Sequence, residues 1–130
     1  MTIQIDDPSR NAMGDALTAQ IGNAGTLRIY SGAAPADETV APTGTLLAQH
    51  TLGSPFAPAA SGGVVSPTLP ANVNAGASGT AGYYRVYTSG GTSKHQGSAG
   101  TSGTDMILNT TALVSGGPVQ INSWTITMGG

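Results

Sequence analysis

Histidine is the side chain best suited to moving protons or holding a metal near neutral pH, and this 130-residue chain has two, His50 and His95. They lie in separate runs that read as strands. Neither has a second histidine or a carboxylate at the spacing of a metal pair such as His-x-x-x-His, so no metal ligands are expected. A Ser, His, Asp set can be assembled on paper from a serine, His95 and Asp105, but no Gly-x-Ser-x-Gly elbow exists to expose the nucleophile. The run GGTSKHQGSAG, Gly90 to Gly100, is glycine-rich and carries a lysine. It lacks the Gly-Lys-Ser/Thr ending of a phosphate loop and leads into a β run where such a loop needs a helix. There is no cysteine, which removes disulfides, thiolate metal sites and a thiol nucleophile together. Asn109-Thr110-Thr111 matches a glycosylation sequon, with no secretory signal to give it meaning. The reading is of a protein without catalytic residues, metal or cofactor, whose histidines are surface or strand residues and whose function resides in its surfaces.

Composition narrows those surfaces. Charged residues are only 8% of the chain, against about 25% in an ordinary soluble domain. The formal net charge of -2 offers no basic patch, so neither nucleic acid nor an anionic membrane is expected as a partner. MTIQIDDPSR, the start of the sequence, lacks a basic region followed by an apolar run, and no apolar stretch long enough to span a bilayer occurs later. Twenty glycines and eight prolines punctuate short, organised apolar runs, a pattern of many strands and turns in a single domain, residues 1–130.

Only the beginning reads as a helix, residues 7–22. Asp7 is a suitable N-cap, Pro8 suits the first turn, and Met13, Ala16, Leu17, Gln20 and Ile21 recur at spacings of three and four before Gly22. After Gly25 the runs Thr26–Ser31, Thr45–Leu52, Gly63–Thr68, Gly82–Thr88, Ser93–Ala99, Asp105–Thr111 and Val119–Met128 read as strands. In the last, Trp124, Ile126 and Met128 share one face. SGGTS (89–93) and SGGP (115–118) read as hairpin turns that make the C-terminal half a meander. The fold expected is mainly β: one sandwich or small barrel of about seven to eight antiparallel strands over residues 25–130, preceded by one amphipathic helix. Two segments, 31–44 and 53–82, are long for structureless loops and are read as contact arms.

Two strand phrases echo each other: TLRIYSGAA from Thr26 and YYRVYTSGG from Tyr83. Alternation places Leu27 and Ile29, and Tyr84 and Val86, toward the core. Arg28 and Tyr30, and Arg85 and Tyr87, fall on the opposite faces, each arginine able to lay its stem on a ring while its guanidinium stays wet. Arginine and tyrosine are enriched at interface centres. The candidate interface is therefore Arg28, Tyr30, Arg85 and Tyr87 with Asp37 and Glu38 of the first long segment and Phe56 of the second.

RNAMGDAL, TLRIYSGAAP, GTLLA, the ASGG turn, GTAGYYRVY and SGTDMILNTTALVSGGPVQINSWTIT together resemble a family of small structural proteins encoded among the head genes of tailed bacteriophages. The similarity runs from about Arg10 to the C-terminus. It implies a virion protein made in the host cytoplasm, a minor capsid or decoration (cement) protein bound to the major capsid protein, with a homotrimer favoured. The alternative reading is a neck, tail or fibre component able to bind glycan. No functional residue carries over from the resemblance, because its motifs are turns and strands rather than chemistry.

Overall fold

A computed structural model describes residues 4–128. Helix α1 spans Asp7–Ile21. Its cap is Asp6, whose carboxylate accepts from the Ser9 N–H at 3.2 Å; Asp7, expected to cap, is the first helical residue and pairs with Arg10 at 3.1 Å. Two adjacent aspartates compete for one cap, and the extended backbone of Asp6 decides it. Gly22 ends the helix at φ 72°, its N–H donating to Thr18 O. The docked stripe matches the one the spacing suggested only in part, at Leu17 and Ile21. Gly14 and Ile21 are buried and Leu17 packs on the core, while Met13 is 43% exposed. The helix is held as much by polar groups as by apolar ones: Asp15 accepts from Ala60 N–H, Asn11 from Gly63 N–H, each at 2.8 Å, and Arg10 Nε donates to Met128 O at 2.6 Å.

The β structure comprises β1 (Thr26–Ser31), β2 (Leu46–Thr51), β3 (Val64–Val65), β4 (Val73–Asn74), β5 (Gly79–Tyr87), β6 (Ser93–Gly100), β7 (Met106–Leu108), β8 (Ala112–Leu113), β9 (Pro118–Val119), β10 (Ile121–Trp124) and β11 (Ile126–Thr127). The main sheet runs β10-β7-β6-β5-β1-β2, with β8 paired to the start of β5. It curls toward closure. Gly76 N–H bonds Leu47 O of β2 at 2.8 Å, β4 pairs with β9, and β9 runs almost directly into β10 at the other end of the sheet. The protein is thus mainly β, a curled sheet of barrel or sandwich type with one N-terminal helix.

Two expectations fail at the C-terminal half. The SGGTS turn does join antiparallel neighbours, β5 and β6, but SGGP joins β8 to β9, which pair with different strands. Moreover β6 and β7 are parallel, Ala99 beside Met106, so the half is not a meander and the sheet not wholly antiparallel. The cause is local. Asp105 accepts from the N–H and hydroxyl of Ser98 at 3.0 and 3.1 Å, doubling the chain back beside the strand it has just left.

The interior is filled by Leu27, Ile29, Leu47, Val65, Tyr84, Val86, Met106, Leu108 and Trp124, with Ile126 and Met128 against it, as alternation required. Phe56 is wholly buried too, edge-on to Trp124 at 5.4 Å between centroids. The segment 53–82 is accordingly no free arm: it contributes β3, β4, Phe56, Val65 and Ala75 to the body. Its apolar residues are too few and too scattered to show a period, which is why its role in the core is invisible until the sheet exists.

Candidate functional site

Register lines up Gln49, Arg28, Arg85 and Gln96 across β2, β1, β5 and β6 on the outer face of the sheet. Directly opposed like charges normally cost stability. The two guanidiniums are accommodated differently. Arg28 lies over the Tyr87 ring, 4.8 Å from its centroid, and donates from Nε to Gln49 Oε1 at 3.2 Å, remaining half-exposed. Arg85 is 2% exposed. Its Nη1 donates to Val40 O at 2.7 Å, and its Nη2 to Gln96 Oε1 at 2.7 Å and Asp37 O at 3.4 Å. The expectation of a wet guanidinium holds for Arg28 and fails for Arg85, because segment 31–44 folds back as a strap over β5. Gln96 Nε2 donates to Pro35 O, and the Tyr83 hydroxyl both donates to Thr43 O at 2.6 Å and accepts from Thr43 N–H at 3.0 Å.

Of the expected interface residues, the structure brings Arg28, Tyr30, Arg85, Tyr87 and Asp37 together. Tyr30 and Tyr87 are buried, joined hydroxyl to hydroxyl at 3.1 Å, and Tyr30 stacks on Tyr83 at 5.1 Å. Burial, then the bond to Tyr87, pushes the Tyr30 phenol up to about 12. Asp37 is exposed; its carboxylate bonds Thr39, which holds it below the usual range. Glu38 lies in the strap, half-exposed. Phe56 is removed from the set, having no surface to offer. Tyr83 and Gln96 were missed, although alternation put Tyr83 on the Arg85 face; the strap that gives both residues a partner is a tertiary fact.

A second surface lies at β2, the terminal strand of the main sheet. Its sequence, LLAQHT, carries neither proline nor a charged side chain, the usual protections of an edge. A groove of about 410 Å³ runs between Leu46, Leu47, Ala48 and Gln49 on one side and Asn74 and Gly76 on the other. Leu46 is 40% exposed at its end.

Both histidines lie in strands as expected, His50 in β2 and His95 in β6, but neither is a free surface residue: His50 is interior and His95 half-buried. His50 is completely buried, and neither ring nitrogen completes a hydrogen bond of good geometry; burial lowers its pKa, partly offset by the Val119 backbone. His95 Nε2 lies 2.7 Å from the Tyr84 hydroxyl, and the imidazole stacks on Trp124 at 6.2 Å. Burial brings its pKa down to about 4, against the weaker upward pull of Asp105. Beside it opens a cleft of about 300 Å³ that Asp105, Thr104, Thr125 and Thr127 also line. Ser, His and Asp do not form a catalytic relay here. Asp105 binds Ser98, and His95 Nδ1 has no partner among the described residues. Nor do three or more metal-binding side chains cluster among those residues.

Comparison of the chain with known protein families, with curated proteins and with solved structures gives no match.

Proposed function

We propose that the chain is a phage virion structural protein, a capsid decoration or cement protein that binds the major capsid protein as a homo-oligomer, with a trimer favoured. The reading rests on the sequence resemblance. The observation that supports it best is the β2 edge: an uncharged strand at the end of the sheet, with a groove beside it and Leu46 exposed. Gly76 N–H already takes Leu47 O at this edge; the rest of the strand can accept an extended segment through main-chain hydrogen bonds, with alternate side chains seated in the groove. With only four lysines and arginines in the chain, and Arg85 enclosed, Coulomb attraction contributes little to attachment. Oligomerisation multiplies individually weak contacts.

The neck, tail or fibre reading is favoured by one feature, the hydroxyl-lined cleft. Copy number in purified particles separates the two: a shell component is present on the order of hundreds, a closed ring at the neck or tail in roughly a dozen or fewer. The expected result is hundreds, and a handful removes the decoration reading. Attachment is also expected to survive washing to about 1 M salt, where the Debye length falls to about 3 Å. Steep release over that range would make ion pairs the dominant contacts.

A further inference from the structure

The cleft beside His95 has a definite inventory of unspent groups. Gln96 at its wall is spent, its amide bound to Arg85 and Pro35 on the strap side. Asp105 uses one carboxylate oxygen for Ser98, which leaves the other without a partner among the described residues. Thr104 donates its hydroxyl proton to Met106 O at 2.7 Å and keeps its lone pairs. Thr125 and Thr127 are exposed on the outward side of β11 and the residue before it, and their hydroxyls have no bond to the described residues. His95 is half-buried at the cleft in front of the buried Tyr84, and its Nδ1 has no partner among the described residues.

No lysine or arginine lines this space, so phosphate or carboxylate ligands would meet Asp105 with nothing to neutralise them. Acceptors outnumber donors, and the volume sits at the small end of the range of ligand pockets. A neutral molecule that presents several hydroxyl donors on a compact ring is the complement. We propose that this cleft binds a single neutral sugar unit. Its vicinal hydroxyls donate to Asp105 and Thr104 and exchange hydrogen bonds with Thr125 and Thr127, while its ring lies against the half-buried His95 imidazole. The inference does not depend on where in a particle the chain resides.

The test is titration of the isotopically labelled protein with glucose, galactose and N-acetylglucosamine, and separately with ethanolamine, followed by NMR. Expected are saturable shifts confined to the amides of Thr104, Asp105, Thr125 and Thr127 and the His95 ring, with a millimolar Kd. Fluorescence of Trp124, the one tryptophan of the chain and the stacking partner of His95, should change with the same Kd. Thr125→Val with Thr127→Val, at exposed positions that leave the core intact, is expected to weaken binding about tenfold through loss of two hydrogen bonds. The proposal is overturned by the absence of saturable shifts with all three sugars. It is equally overturned by binding of ethanolamine in their place, or by unchanged affinity in the folded double variant.

Discussion

The guanidinium of Arg85 is enclosed with three oxygens against it, Val40 O, Asp37 O and Gln96 Oε1, and no carboxylate within ion-pair distance among the described residues. Removing a buried charged donor strands its acceptors. Arg85→Ala is thus expected to cost about 2–4 kcal/mol and to expose residues 32–44 to protease. Arg28→Ala, which loses a half-exposed cation–π contact and an exposed hydrogen bond to Gln49, should cost about 1 kcal/mol. Equal shifts of the urea midpoint in the two variants would mean that the strap is not clamped. The histidines set the acid limit. His95 titrates near 4 in the folded chain and near 6.5 when unfolded. Above 6.5 both states are neutral and no stability depends on it. Between 6.5 and 4 the unfolded chain takes up the proton first, so stability falls as pH falls, by about 3 kcal/mol in all. His50 adds in the same direction. His95→Gln should flatten the urea midpoint's decline across that window, and an unaltered slope would assign the acid lability elsewhere.

At the scale of elements, the helix shows how close approach overrides an apolar stripe. A Cβ on Gly14 would come 2.5 Å from Val65 Cγ2 and 3.1 Å from Ala60 Cβ. Val65 is stiff and fully buried, so it cannot yield easily. Gly14→Ala gains about 1 kcal/mol of helix propensity, but overpacking typically costs about 1–3 kcal/mol, and at so close a contact the net effect is expected to be destabilising by up to about 2 kcal/mol. Met13→Asp should fall within about 0.5 kcal/mol, whereas Leu17→Asp, facing the core, should lose about 2 kcal/mol or more. Thermal melting of the three variants in that order checks the docked face; a larger loss at Met13 than at Gly14 would restore the stripe read from spacing. A Cβ on Gly82 would meet Gly32 O at 1.8 Å, a backbone atom with no way to move aside. The glycine is therefore required where the strap leaves β1 and crosses β5.

For the molecule as a whole, segment 53–82 cannot be deleted to release a partner without cost to the fold, because Phe56, Val65 and Ala75 leave the core with it. Truncation there is expected to unfold the protein. A probe of attachment belongs at the β2 edge: Leu46→Lys, exposed in the subunit, should leave melting unchanged and lower occupancy on particles, and full occupancy would free that edge from the proposed role. The class of structure was legible from the order of residues alone. Alternation and turn residues placed β1 at Thr26–Ser31 residue for residue, sent Leu27, Ile29, Tyr84 and Val86 inward, ended the helix at Gly22, and put Arg28, Tyr30, Arg85 and Tyr87 on outer faces. These are properties of neighbours along the chain, and a period of two or 3.6 carries them. Which outer face is covered, and what each polar group meets, depends on the folded arrangement. The strap over Arg85, the entry of Phe56 into the core, the parallel β6–β7 pair, the loss of Met13 from the docked stripe and the meeting of His95 with Tyr84 and Trp124 all join residues distant in the chain. Local periodicity fixes a side chain's direction, but burial depends on what the rest of the chain lays over it.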